Sequence, residues 1–579
     1  MASFLKSKSW AWLTHLAVGL IALPFIVHQN AWSEWSNSLW LLDLQTAHVA
    51  AHGIPTYFID APDQYFYPWF VFYGGAAFSF LAYPAVVLGT WPVFAASCAG
   101  AFIAASAGVS WTARNLGVPS RLAIVPGVLF ALTPYTVSNL YGRGAWSELV
   151  AVGALGVALG AATSLTSGRA RNRPLTIAAL ALAVAGVAGT HNITLLFSAL
   201  IAPLLGLALL PLLHEPKREL IHRHLLVLAG AATGVAICGA FLIPDIWLSG
   251  RTLASATATN YLRGLSVYDT FGATFNPFLG EPVVAGGSDL HTETLVVPLL
   301  WLIVMAAISV RRRWLDRRTG TTLALVACFS IATALLITDP FWWLSFPPAL
   351  QAIQFPFRLV TYLALLTVLG IIALLATPSV QRSRLAIIAL LLSAAWQVGL
   401  AVVLVATSPA QGGEPMPHPT PSNVSVGSVP TAFAPWQASQ FRLVGENPIA
   451  APGPLAEVGP IGDDTPRGIV LSGNQPPESL VDTNVVASPL IKVTGDATIA
   501  GTSPAGFDVL RVNSARANPY WYATIAPACG SCLGALTGKA PFALFLGKLA
   551  SLTGAIALFG WIIAGVRLRA PGRTPRFRL

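Results

Sequence analysis

The stretch "LAIVPGVLFALTPYTVSNLYGRGAWSELVAVGALGVALGAATSL", residues 122–165, holds two long apolar runs that flank the polar segment "NLYGRGAWSE" at 139–148. A helix needs about 20 apolar residues to cross a bilayer, and each run approaches that length. Arg143 and Glu148 interrupt the apolar pattern, and charged side chains are costly inside a bilayer. The pattern therefore predicts a hairpin of two membrane helices with a charged turn at one membrane surface.

The same pattern recurs along the whole chain. Of its 579 residues, 55% are hydrophobic and only 10% are charged, with a mean hydropathy of +0.67. Soluble domains carry about 25% charged residues. The sequence therefore predicts an all-α polytopic membrane protein with about twelve spans. The expected spans are 10–28, 92–112, 122–138, 146–165, 174–190, 193–213, 225–247, 294–310, 321–338, 358–377, 384–406 and 541–566.

The basic loops decide how the apolar stretch 68–89 is interpreted. The net charge is +10, and lysine and arginine gather in short loops such as "RARNR" (169–173) and "RRRWLDRR" (311–318). Cytoplasmic loops carry an excess of lysine and arginine. All basic loops fall on one side only if 68–89 stays on the outer face as a juxtamembrane or re-entrant helix. We therefore expect both termini to be cytoplasmic, in the plasma membrane of a bacterium. A nucleic-acid partner is not expected, since no basic patch is interleaved with aromatics.

The expected organisation has three parts. Residues 1–406 would form the membrane domain, which includes a long outer loop at 29–91. Residues 407–540 begin as a linker, "SPAQGGEPMPHPTPSN", and continue with alternating stretches such as "FDVLRVNS" that indicate short β-strands. We expect a small β-rich extracytoplasmic domain there. Residues 541–579 would add the last span and a basic cytoplasmic tail.

Polar residues in the first outer loop are candidates for chemistry. Asp43 lies in the apolar context "LWLLDLQTAH", where desolvation raises the proton affinity of a carboxylate. Such a group suits a general base that deprotonates an alcohol. A helix cap or a solvated interfacial acid is the alternative. His48 follows five residues later, and Asp60 and Asp63 are candidate ligands of a hard divalent cation, although no dedicated metal motif is present.

Three further polar groups interrupt the apolar runs. Glycines flank Arg143, which could clamp a phosphate with Glu148 as its partner; an interfacial ion pair that closes the hairpin is the alternative. His191 and Asn192 lie between two apolar runs, where polar residues mark a site or form a tight turn. Arg358 precedes a later span and could meet a lipid phosphate or snorkel to headgroups.

Other motifs limit the function. Cys529 and Cys532 form "CGSC", which is compatible with a redox pair or a local disulfide. The sequence has no Walker loop and no glycine-rich phosphate motif after a strand. No cofactor is predicted with certainty, and a divalent metal stays open. The energy for an enzymatic reaction would then have to arrive in an activated substrate, which on the outer face suggests a lipid-linked donor.

Taken in order, these residues resemble polytopic membrane glycosyltransferases of the GT-C class. More narrowly, they resemble bacterial membrane proteins labelled "6-pyruvoyl-tetrahydropterin synthase-related". The resemblance covers roughly residues 30–360. It is carried by Asp43, His48 and Gly53 with "FYPWFVFYGG" (66–75), by "PYTVSNLYGRGAWSE" (134–148), and by Thr190–Asn192 with the later Phe355–Arg358.

The resemblance implies a GT-C-like fold and an inverting transfer from a polyprenyl-phosphate sugar to a cell-envelope glycan or lipid acceptor. It implies that Asp43 is the general base. Arg143 and Arg358 would hold the lipid phosphate, while His48, Glu148, His191 and Asn192 would orient these groups or bind the sugar. The alternatives are a lipid or glycan transporter, although no internal repeat is present, and a non-catalytic scaffold in envelope assembly.

Overall fold

The structure is a computed structural model of the chain. The residues that it describes are 2–28, 35–57, 59–61, 65–67, 69–72, 74–213, 216–249, 269–285, 288–347, 355–408, 453–455, 457–458, 469–473, 478–486, 491–502, 507–513, 521–527 and 539–567.

Helices make up most of the described chain, and ten of them are long and apolar enough to cross a membrane. Three shorter apolar helices accompany them. The helices are α1 (Ala2–Gly19), α2 (Leu23–His28), α3 (Trp35–His52), α4 (Trp69–Phe72), α5 (Gly75–Leu88), α6 (Thr90–Asn115), α7 (Ile124–Ala131), α8 (Pro134–Tyr141), α9 (Trp146–Thr166), α10 (Arg173–Thr190), α11 (Asn192–Leu209), α12 (Lys217–Ile237), α13 (Gly239–Ser249), α14 (Phe271–Thr274), α15 (Val296–Arg311), α16 (Arg317–Thr338), α17 (Pro340–Leu344), α18 (Val360–Leu375), α19 (Pro378–Arg382), α20 (Arg384–Thr407) and α21 (Lys539–Arg567). Short 3₁₀ turns at Leu20–Ala22, Leu210–Leu212 and Pro356–Leu359 extend α1, α11 and α18.

The expected spans 122–138 and 225–247 are each broken into two helices, whereas the expected span 10–28 continues from α1 through a 3₁₀ turn into α2. The stretch 122–138 is divided into α7 and α8, because Thr133 is extended, accepts a hydrogen bond from the Thr136 amide, and is followed by proline at the first position of α8. The stretch 225–247 is divided at Cys238 into α12 and α13. Hydropathy alone does not register these breaks, since both halves remain apolar.

The segment 68–89 contains α4 and the 14-residue helix α5 rather than a full-length span. Gly74 has a φ of 66°, and a Cβ on Gly75 would lie 1.8 Å from the Phe70 carbonyl oxygen. The double glycine is therefore required by the tight turn between the two helices. A pair of short helices in the first loop is compatible with the expected juxtamembrane position.

Helix α18 is the centre of the bundle. All of its residues are buried, and it packs against α7, α8, α15 and α16. The 3₁₀ turn Pro356–Leu359 at its start is buried as well. Arg358 therefore lies inside the bundle, and the structure does not support the alternative in which this side chain snorkels to lipid headgroups.

Strands are concentrated near the C-terminus. The described strands are β1 (Ile59–Ala61), β2 (Tyr65–Tyr67), β3 (Val283–Ala285), β4 (Ser288–Leu290), β5 (Gly453–Leu455), β6 (Glu457–Val458), β7 (Ile469–Gly473), β8 (Leu480–Val486), β9 (Ile491–Gly495), β10 (Ala497–Thr502), β11 (Phe507–Val512) and β12 (Trp521–Pro527). The prediction of a helical polytopic membrane protein with a β-rich region near the C-terminus is thus confirmed.

The first loop joins the C-terminal strands in one sheet. Its order is β1-β2-β8-β11-β10, and β5 also pairs with β8. Strand β2 pairs with β8 in parallel, with Phe66 opposite Val485. A second sheet has the order β6-β7-β12-β9. The segment that follows Asp43 in the sequence is therefore attached to the β-rich region.

Candidate functional site

Two arginines and a tyrosine surround the carboxylate of Glu148. The Tyr135 hydroxyl donates to Glu148 Oε1 at 2.5 Å. Arg143 Nη1 lies 3.5 Å and Arg358 Nε lies 3.4 Å from Glu148 Oε2. Glu148, Arg143 and Arg358 are only 2%, 6% and 5% exposed. The predicted pair of Arg143 and Glu148 therefore exists, but it belongs to a buried cluster with a second arginine.

The turn between α8 and α9 places the first half of this cluster. The amides of Gly142 and Arg143 both donate to the Ser138 carbonyl at 2.8 Å, and Gly144 has a φ of 71°. These contacts reverse the chain directly after α8. Glu148 follows in the first turn of α9, where the partial positive charge of a helix N-terminus stabilises a carboxylate.

Aromatic rings fix α9 at this point. Trp146 stacks on Phe78 of α5 and on Phe94 of α6, and its indole N–H donates to the Ser97 hydroxyl at 2.7 Å. The ring of Phe355 lies 5.8 Å from the Arg143 guanidinium carbon and 5.1 Å from that of Arg358. An aromatic face at this distance attracts a cation. Phe355 therefore adds a shared attraction for the two guanidinium groups.

The two guanidinium groups of this cluster share one carboxylate. Arg143 and Arg358 both lie at ion-pair distances of 3.4–3.5 Å from Glu148. Within the described part of the chain, Nη1 of Arg358 is buried and has no hydrogen-bond partner. Buried charge is stable only when it is paired and hydrogen-bonded. The arrangement is suited to an anion, and a planar guanidinium fits phosphate oxygens in particular.

His191 lies beside this cluster, between two candidate spans. Its Nδ1 accepts from the Thr194 amide at 3.2 Å and lies 2.7 Å from the Thr194 hydroxyl, so it caps α11. Burial, together with the positive charges of Arg358 and Arg143, holds the pKa of His191 well below its usual value. The imidazole is therefore neutral near pH 7, and its capping role is compatible with that state.

Asn192 has a different position. Its side-chain amide donates to the Phe72 carbonyl of α4 at 2.9 Å and to Asp245 Oδ2 of α13 at 2.5 Å. These two bonds connect the start of α11 to the first loop and to α13. The contacts of Asn192 are thus those of a positioning residue, since both acceptors belong to the protein.

Asp43 forms a second polar site, which lies on α3 and is separate from the arginine cluster. It is 1% exposed, and the Thr90 hydroxyl donates to Oδ1 at 2.9 Å. Oδ2 is buried without a hydrogen-bond partner among the described residues. Burial raises the pKa of the Asp43 carboxyl, and the bond from Thr90 offsets part of that rise. A carboxyl with a raised pKa and a free oxygen has the properties that general-base chemistry needs.

The structure does not bring Asp43 into an ion pair with the arginines. Within the described residues, its only polar contact is with Thr90. A series of ring contacts runs from that region toward the arginine cluster: Trp91 stacks on Phe94, and Phe94 stacks on Trp146. Asp43 and Glu148 therefore flank the same aromatic layer.

Of the remaining predicted residues, His48 and Asp60 lie in described parts of the chain. The ring of His48 contacts the ring of His52, with centroids 4.5 Å apart. Asp60 lies in β1. Asp63, Cys529 and Cys532 lie outside the described residues. Among the described residues there is no group of three or more His, Cys, Asp or Glu side chains that could hold a metal ion.

Sequence reasoning missed several polar residues. Tyr135 lies in the stretch 134–148 that carries the resemblance, but it was not singled out, since a tyrosine in an apolar run also suits a membrane interface. Asp245 could have been found, because a carboxylate inside the apolar run "FLIPDIWL" is rare in a membrane helix.

The loop before α15 holds Asp269 and Glu293, and its His291 backbone exchanges hydrogen bonds with the Ser138 hydroxyl. That loop is therefore anchored on α8, next to the turn that carries Arg143.

Comparison with known proteins gives one solved structure. The cryo-EM structure of the arabinofuranosyltransferase AftD from Mycobacteria matches with a TM-score of 0.39 and 17% sequence identity. The match covers 88% of this chain, and this chain spans 40% of the length of that enzyme. No family model matches the chain. No curated protein matches it either. The resemblance to the narrower bacterial family therefore stays an expectation from the sequence.

Proposed function

We propose that the protein is an inverting GT-C-type glycosyltransferase. It moves a sugar from a polyprenyl-phosphate donor to a cell-envelope glycan or lipid acceptor on the outer face of a bacterial plasma membrane. One observation carries the proposal: Arg143 and Arg358 share the single carboxylate of Glu148 inside an apolar helix bundle. The proposal rests on these side chains rather than on the likeness to AftD.

The arginine cluster recognises the lipid phosphate. A polyprenyl phosphate reaches a protein through the membrane, and the cluster lies among membrane-length helices at the starts of α9 and α18. Its two guanidinium groups neutralise the charge of the phosphate. Glu148 keeps the two guanidinium groups together when the site is empty, and Tyr135 fixes the orientation of Glu148. Stabilisation of the charge on the departing phosphate is the main catalytic contribution of this cluster.

Asp43 supplies the base. The acceptor hydroxyl oxygen attacks the anomeric carbon, and the bond from that carbon to the phosphate oxygen breaks. The hydroxyl proton passes to the Asp43 carboxylate, while the electron pair of the broken bond leaves with the lipid phosphate. A single displacement of this kind inverts the anomeric centre. The free Oδ2 of Asp43 is the atom that receives the proton.

The side of the membrane follows from the basic loops. If these loops are cytoplasmic, the turn with Arg143 and the loop with Asp43 share the outer face, and both termini are inside. The β-rich region is then also outside. Because β2 of the first loop pairs with β8, this region is suited to guide the acceptor toward the first loop.

The direct test is transfer by the purified protein in proteoliposomes. It is supplied with polyprenyl-phosphate sugars and a cell-envelope glycan extract, and products are detected by mass spectrometry. We expect transfer by the wild type and its loss in Arg143→Gln and Arg358→Gln. Arg223→Gln is the matched control, because Arg223 is a buried arginine that pairs with Glu219 elsewhere. Movement of intact donor between leaflets without transfer would instead identify a transporter.

A further inference from the structure

We infer that Asn139 and Thr361 bind hydroxyl groups of the donor sugar next to the phosphate, and so contribute to the selection of the sugar. This inference rests on the proposed function. It deepens that function by naming the residues that distinguish a glycosylated lipid phosphate from a bare one.

Both side chains are buried without a hydrogen-bond partner in the described part of the chain. Asn139 is 0% exposed, and neither its amide nitrogen nor its amide oxygen has a partner. Thr361 is 4% exposed, and its hydroxyl has none either. A buried polar group that lacks a partner costs about 1–3 kcal/mol. Two such groups in one region therefore indicate a place where a polar ligand completes the hydrogen bonding.

Asn139 is an exception within its own helix. The other polar side chains of α8 have partners: Tyr135 donates to Glu148, Ser138 bonds to the His291 backbone, and Tyr141 donates to the Ile21 carbonyl at 2.6 Å. Thr136 is hydrogen-bonded to Thr133 at 2.6 Å. The helix thus satisfies its polar groups everywhere except at Asn139.

Helix spacing relates both residues to the arginine cluster. Asn139 follows Tyr135 by four residues, so the two side chains share one face of α8. Thr361 follows Arg358 by three residues, about one turn further along the 3₁₀ turn and α18. Tyr135 and Arg358 both contact Glu148. Asn139 and Thr361 are therefore each about one helical turn from a residue that contacts the Glu148 carboxylate.

The chemistry of the whole set defines the ligand. The arginines supply cationic donors for an anion. The carboxamide of Asn139 offers donors and an acceptor, and the Thr361 hydroxyl offers one of each. The dianion of a bare phosphate monoester has no donor for the carboxamide oxygen, and its monoanion has only one. A glycosyl phosphate has several, because its ring hydroxyls both donate and accept beside the charged group.

The test compares two ligands of equal lipid length. Purified protein in nanodiscs is titrated with bare polyprenyl phosphate and with a panel of polyprenyl-phosphate pentoses and hexoses. For the preferred sugar, we expect Asn139→Leu, which keeps the branching of the side chain but removes its polar atoms, to weaken binding about tenfold. Binding of the bare lipid phosphate should change less than about threefold. Thr361→Val should act in the same direction with about a threefold effect.

Thr367→Val is the matched control on α18. The Thr367 hydroxyl donates to the Leu363 carbonyl of its own helix at 3.0 Å, so its removal should change neither affinity. Wild-type protein that binds neither ligand would refute the proposed function itself. Wild-type protein that binds both, with Asn139→Leu weakening both equally or neither, would overturn only this inference. If Asn139→Leu lowers the melting temperature, Asn139→Ala and Thr361→Val make the same comparison, and unchanged selectivity in both overturns the inference.

Discussion

The arginine cluster around Glu148 and the carboxyl group of Asp43 differ in how their charges are compensated. Around Glu148, two guanidinium groups and the Tyr135 hydroxyl surround one carboxylate. Around Asp43, a single threonine hydroxyl is the only partner within the described residues. The first arrangement fixes charge in place, whereas the second leaves a carboxyl whose protonation is easily changed. We expect the cluster around Glu148 to hold an anion and Asp43 to exchange a proton.

Removal of Glu148 should have the largest effect. Glu148→Gln removes the carboxylate that two buried arginines contact, and breaking a buried ion pair typically costs about 3–5 kcal/mol. We expect a clear drop in the melting temperature of the detergent-solubilised protein. Glu219→Gln is the control, because the Glu219 carboxylate is partly exposed and pairs with Arg223. The melting temperature of this variant should be close to that of the wild type. Equal melting of Glu148→Gln and wild type would show that the cluster is not a buried charge pair.

Asp43→Asn should act on activity rather than on the fold. The substitution keeps the side-chain shape and the bond from Thr90, but it removes the proton acceptor. General-base catalysis typically contributes about 10²–10⁴-fold. We therefore expect at least about a hundredfold loss of transfer rate, while the melting temperature stays near that of the wild type. Full activity in Asp43→Asn would remove this residue from the proposed mechanism.

Tyr135→Phe should have an intermediate effect, which arises in the arginine cluster around Glu148. Hydrogen bonds to charged groups contribute about 1.5–3 kcal/mol, and this variant removes the one to Glu148 Oε1. A carboxylate that has lost this bond orients the arginines poorly, so the KM for the lipid-phosphate donor should rise. Tyr141→Phe is a suitable comparison, because its hydroxyl bonds the Ile21 carbonyl away from the cluster. A rise of KM in Tyr141→Phe alone would reverse the assignment.

Thr90→Val should give the smallest effect, and it tests the protonation of Asp43. The base acts as a carboxylate, so activity falls as pH drops through its pKa. Burial raises that pKa, and the Thr90 hydroxyl lowers it. Loss of the hydroxyl should therefore move the acid limb of the pH–rate profile to higher pH.

Thr46→Val on the same helix is the control for that shift. The Thr46 hydroxyl donates to the Leu42 carbonyl and does not contact Asp43. An acid limb that moves equally in both variants, or moves to lower pH in Thr90→Val, would show that Asp43 is not the titrating group.

Local patterns predicted most of the helices but only part of the site. Apolar length identified the spans, since burial in lipid and burial in protein demand the same residue types. The breaks at Thr133 and Cys238 were missed, because a cap and a kink change few residues. The pairing of Arg143 with Glu148 follows from one turn. Arg358 joins them from a distant helix, and no local spacing encodes that contact. The separation of Asp43 from the arginines likewise depends on how α3 packs.

The parallel pairing of β2 with β8 has a consequence for biogenesis. Chains are inserted from the N-terminus, so the first loop emerges long before its sheet partner is made. Until β8 arrives, β2 has an unpaired edge, and such edges attract other chains. The first loop, which carries Asp43, then completes its folding only after the C-terminal strands have been synthesised. The first loop of the nascent protein would require protection during synthesis. Truncation of the C-terminal strands would leave β2, near the N-terminus, without its partner β8.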